Sequence, residues 1–213
     1  MPTGTWERLP EPRRRAVVEA AEREFAARGF SRGSLNTIAR DAGVSKGSLF
    51  QYFDDKVDLF AYLSEGISAR IRVAMEKEAA LLPWSTDFFG ALRQLNAAWV
   101  GYFFDHPIDL ALTAAANLEP DRTARAAVRS TVAEHYQAML RPLIALGRET
   151  GQLKEDADLE AMLAFLLLLL PHVALAPHVG GLDSVLGLEG SSREEAVAGA
   201  ERLLGVLEAA YAG

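Results

Sequence analysis

The 213-residue chain predicts an all-α protein: an N-terminal three-helix head that holds a helix-turn-helix, followed by a larger helical domain. Three observations lead there. Apolar residues recur three and four apart almost throughout, with no strand-like alternation. Pro107, Pro120, Gly151 and the Gly180–Gly181 pair punctuate the periodic segments of the second half. Residues 34–56, SLNTIARDAGVSKGSLFQYFDDK, pair two short helices across a tight turn.

The elements follow in order. Residues 13–29 give the first helix. Leu35, Ile38, Ala39 and Ala42 mark the buried face of a second over 35–42, capped by Ser34. Gly43 supplies the turn and Val44 fills the corner. Ser45 caps a third helix over 46–53, whose Leu49, Tyr52 and Phe53 face inward. Asp54 or Asp55 caps a longer helix over 57–82 that connects head to body. Further helices are predicted at 86–105, 107–118, 121–149, 157–179 and 192–211, with Asp121 and Ser192 as caps and Pro142 bending the third of these. The domains are 1–56, the head, and 57–213, the body.

A short helix that presents its N-terminus and small residues suits insertion into a DNA major groove. Lys46, Ser48 and Gln51 are candidates for base edges, and Gln can pair with adenine through two hydrogen bonds. Ser34, Thr37, Tyr52 and Lys56 are candidates for phosphate. Ser45 and Gly47 lie where the backbone approaches DNA most closely. Packed inside a bundle, the same hairpin would be purely structural.

The order Val17, Val18, Ala20, Ala21, Phe25, Gly29, Phe30, Ile38, Ala39, Ala42 to Leu49, Tyr52, Phe53, Lys56 and Leu59 resembles the tetracycline-repressor (TetR) family of bacterial regulators. The specific match covers about a quarter of the chain. The resemblance implies a homodimer on a palindromic operator, with a small effector bound in the body. Family members often carry Tyr at the position of Phe50. Phe50 has no hydroxyl for phosphate and is suited instead to a thymine methyl or a sugar.

Charge distribution agrees with a localised DNA contact. The net charge is −7, but residues 1–56 hold ten basic against eight acidic side chains. The basic excess sits beside the motif. Arg13, Arg14 and Arg15 either follow phosphates or form a solvated first turn. The absence of cysteine excludes disulfide and thiolate chemistry and fits a reducing, cytoplasmic setting.

The body is rich in aromatic residues. Phe88, Trp99, Phe103, Tyr136, Met139, Met162, Phe165 and His172 are candidates for an effector cavity, with ordinary core packing as the alternative. The run 161–179 is apolar nearly all round. Pro171, His172, Pro177 and His178 argue against a membrane span and for a helix covered on several sides. The final helix carries a narrow stripe that includes Leu203 and Leu207, placed at a dimer interface. The four histidines make no metal motif, and neither a cofactor site nor a catalytic constellation is predicted. The expected function is therefore a non-enzymatic, ligand-responsive repressor that binds double-stranded DNA and is released by a hydrophobic or amphipathic effector. The alternative is a helical carrier without DNA binding.

Overall fold

The computed structural model describes residues 2–213, the side chains of residues 130 and 131 excepted. Among the described residues ten helices follow one another: α1 (Gly4–Glu7), α2 (Glu11–Arg32), α3 (Leu35–Asp41), α4 (Lys46–Tyr52), α5 (Lys56–Ala79), α6 (Phe88–Asp105), α7 (Pro107–Asn117), α8 (Arg122–Glu149), α9 (Leu159–Leu175) and α10 (Arg193–Tyr211). None of these helices is long and apolar enough to cross a membrane.

Caps set the helix starts. Ser34 Oγ accepts from the Thr37 amide at 3.4 Å, and Ser45 Oγ from the Ser48 amide at 3.0 Å. Ser192 and Glu195 form a reciprocal capping box at α10. Each such cap contributes about 1 kcal/mol. Gly43, at φ 67°, makes the left-handed turn between α3 and α4.

Residues 1–69 with 107–132 form one compact unit, and 70–106 with 133–213 form the other. The division falls inside α5 and α8, whereas the sequence suggested a boundary at residue 56. The first unit is larger than that head because α7 packs along α2.

In the first unit, Phe25, Phe30 and Phe60 cluster with ring centroids 5.2–6.3 Å apart. Burying each such ring contributes about 1.5–3 kcal/mol. α2 is broken at Gly29, which adopts φ 67° and ψ 176°, so the chain turns sharply before α3. Polar side chains hold that corner. The Glu24 carboxylate accepts from the Ser34 amide at 2.9 Å. The Lys56 ammonium donates to the carbonyls of Phe30, Ser31 and Gly33 at 2.9–3.3 Å and lies 4.3 Å from the Phe30 ring centroid. Glu119, just past α7, is buried and accepts from both the hydroxyl and the amide of Ser31.

In the second unit, α6 packs against α9 and α10. It buries Phe88, Leu92, Leu95, Trp99 and Phe103. The Trp99 indole N–H donates to the Leu170 carbonyl at 2.9 Å. Between α9 and α10, the Asp183 carboxylate accepts from the amides of Leu188, Leu186 and Val185 at 2.7–3.2 Å.

Two consequences are measurable. Lys56→Met removes the ammonium that holds three carbonyls and should lower stability by about 1–3 kcal/mol in urea denaturation. An unchanged midpoint would remove Lys56 from the corner. The backbone amides of Leu188 and Leu186 depress the Asp183 carboxyl from 3.8 to about 2. The ionised form is the one favoured by folding, so its contribution is complete above 3.8 and lost as pH falls through about 2. Hydrogen exchange at the Leu188 amide should therefore lose protection over that acid range, and Asp183→Asn should abolish the pH dependence.

Candidate nucleic-acid interface and interior cavity

α4 has an inner and an outer side. Leu49 and Tyr52 are buried, as is Phe53 at its end. Ser45, Lys46, Gly47, Phe50 and Gln51 are exposed, Phe50 at 48%. α3 adds exposed Asn36 and Arg40, with half-buried Ser34 and Thr37 beside them. The outer side therefore gathers a cation, an amide, an apolar ring and a glycine at a capped helix start, where free amides favour phosphate. Ser48 is half-buried, and its hydroxyl lies 2.8 Å from that of Ser45, so both belong to the cap.

Two of the phosphate candidates are used inside the head. The Tyr52 ring is only 5% exposed and packs against Trp6, at a centroid distance of 5.7 Å. The Lys56 ammonium is turned inward to the α2–α3 corner, where three carbonyls leave it little freedom to reach DNA. Of the arginine cluster, Arg14 donates to the Glu7 carbonyl at 2.9 Å and Arg15 lies 3.7 Å from Glu11.

α1 was not expected from the sequence. Trp6 is 3% exposed and packs on Tyr52, Phe53 and Tyr62. The Thr3 amide donates to the Tyr52 carbonyl at 2.9 Å, and its hydroxyl to the Gln51 carbonyl. The N-terminal segment thus satisfies carbonyls that the end of α4 leaves without a helical partner. A lone Trp among Pro, Gly and polar residues was the available signal.

In the second unit a small cavity of about 10 Å³ is lined by Met75, Leu92, Leu95, Asn96, Trp99, Met139, Leu140 and Leu170. Of the cavity candidates, Trp99 and Met139 line it. Phe88, Phe103 and Met162 are core, at 0–1% exposure. Tyr136 packs on Trp99 at 5.2 Å, and burial pushes its phenol above the usual range, so it stays neutral. Phe165 is 45% exposed and His172 half-buried; neither lines the cavity. α9 is covered on one side of the protomer and open on another, so Phe165 and Leu168 point outward, Leu168 at 70% exposure. A second, open groove of about 350 Å³ runs between α8 and α9, beside the Arg141–Glu160 ion pair.

The interface candidates on α10 differ from each other. Leu207 is 3% exposed, in line with Ala196, Ala200 and Leu204 on the side buried within the protomer. It belongs to the protomer's own core. Leu203 is half-buried, and Val206, at 63% exposure, is the outward apolar residue. Among the described residues no group of three His, Asp or Glu is gathered where a metal ion could sit.

Comparison with known proteins fits this geometry. Residues 17–63 match the model for bacterial regulatory proteins of the tetR family. The chain is 30% identical over 156 residues to the HTH-type transcriptional repressor NicS of Pseudomonas putida, and the match covers 72% of each protein. Among solved structures it resembles the fatty acid degradation regulator FadR of Bacillus halodurans, with a TM-score of 0.73, 18% identity and coverage of 92% of this chain and 96% of that one. It also resembles FadR of Bacillus subtilis, solved in complex with stearoyl-CoA, with a TM-score of 0.70, 16% identity and coverage of 91% and 96%. The head motif, the helical fold and the extent of the NicS match together show that this chain belongs to the tetR family of bacterial regulatory proteins.

Proposed function

We propose that this regulator represses transcription as a homodimer, with α4 of each subunit in a major groove of a palindromic operator, and that a small hydrophobic or amphipathic effector releases it. The observation that carries the DNA-binding geometry is the outer side of α4, where Lys46, Gly47, Phe50 and Gln51 are exposed on a helix whose other side is buried. Lys46 and Gln51 meet base edges, Phe50 meets a thymine methyl or a sugar, and the amides at the α4 start meet phosphate. Ser34 and Thr37 approach phosphate from α3. Two-fold symmetry of the dimer makes the operator two-fold symmetric.

Pairing of subunits through α9 and α10 is supported by the exposed apolar side chains Phe165, Leu168 and Val206. Apolar residues gathered on packed helices mark an association surface more often than a solvated one. An effector acts by binding more tightly to a body conformation whose heads are wrongly spaced for DNA. Residues of α5 belong to both compact units, which suits this helix to carry the change.

Gly47→Trp tests the docking. A Cβ at this position would lie 3.7 Å from Ser45 Oγ, an ordinary contact, and the position is exposed, so the variant should fold normally. It should lose measurable affinity for a fluorescent duplex that the wild-type protein has selected from a random pool. Equal anisotropy titrations for the two proteins would reject the placement of α4. Leu168→Glu should convert dimers to monomers in light scattering with helical content unchanged, since the residue is 70% exposed in the protomer. A dimeric mass would move the interface away from α9.

A further inference from the structure

Asn96 sits on α6 at 1% exposure and lines the interior cavity. Neither its amide nitrogen nor its carbonyl oxygen has a hydrogen-bond partner. A buried amide with both ends unpaired is costly, and native proteins rarely retain one without a use. The cavity, at about 10 Å³, has room for one water at most. A lasting buried water needs two to four polar partners. Besides Asn96, the cavity is lined by Met, Leu and Trp side chains, and the Trp99 indole N–H is already committed to the Leu170 carbonyl.

We infer that Asn96 is the polar anchor of the effector site, and that the effector is a neutral molecule with a hydrogen-bond donor and acceptor side by side at one end of an apolar body. A carboxamide, a lactam or an undissociated carboxylic acid has this edge. Such a group satisfies both ends of the Asn96 amide at once. A carboxylate does not: it offers no donor to the Asn96 oxygen, and the cavity lining includes no cation to offset its charge. The apolar body enters by displacing Met75 and Met139, whose unbranched chains adopt new rotamers readily. This inference deepens the proposed effector control and rests on it.

The test uses three probes of nearly the same shape. Benzamide presents donor and acceptor, acetophenone an acceptor only, and cumene neither. By isothermal titration calorimetry, benzamide should bind the full-length protein about tenfold more tightly than cumene, with acetophenone between them. Asn96→Leu, of similar volume, should reverse that order. Absence of saturable benzamide binding, cumene binding as tightly as benzamide, or an order unchanged in the variant would each overturn the inference. The wild-type series decides the matter even if the variant does not fold. Parallel titration with the selected duplex keeps the two readings apart. If DNA binds but benzamide shows no preference, repression stands and the anchor falls. If no duplex is selected, the repressor reading fails whatever benzamide does.

Discussion

The corner between α2 and α3 is the constraint on which the placement of α3 and α4 depends. α2 stops being a regular helix at Gly29, and the next few residues expose backbone groups that no helix satisfies. Three side chains from three other places supply the partners: Glu24 from α2 itself, Lys56 from the start of α5, and Glu119 from beyond α7. Each charge meets a backbone dipole or a hydroxyl, and a charge-assisted bond of this kind is stronger than a neutral one. Fixing this corner fixes where α3 begins. Through the Gly43 turn it then fixes the direction of α4. The buried phenylalanine cluster of Phe25, Phe30 and Phe60 supplies apolar packing, while the polar corner sets the register.

Secondary structure was largely legible in the sequence because its signals are local. Ser34, Ser45, Asp121 and Ser192 act on amides within three residues, and their identity alone locates a helix start. The four-residue α1 lay beyond that reasoning, since a helix so short exists only because Trp6 finds Tyr52, Phe53 and Tyr62. The break at Gly29 was legible, since the first predicted helix ends at that glycine.

Where the structure places a candidate residue otherwise than the sequence suggested, the differences share a cause. Periodicity identifies which side of a helix is apolar but not what covers it. Leu207 and Val206 are neighbours in sequence, yet one is covered by its own chain and the other is open. Lys56 and Tyr52 in and beside α4 suggest phosphate, yet both are drawn into the head. Asn96 gave no sequence signal at all, because an asparagine among apolar residues on α6 becomes conspicuous only when its surroundings prove empty of partners.

The packing of α7 along α2 bears on how regulators of this architecture exchange parts. Recombination or engineering that joins the head of one protein to the body of another at the end of α4 moves α2 without the helix that lies on it. The transplanted head keeps the exposed residues of α4 but leaves Ser31 without Glu119 and one flank of α2 in contact with a foreign α7. A functional chimera of this chain therefore needs a discontinuous graft, with residues 107–132 travelling together with residues 1–69.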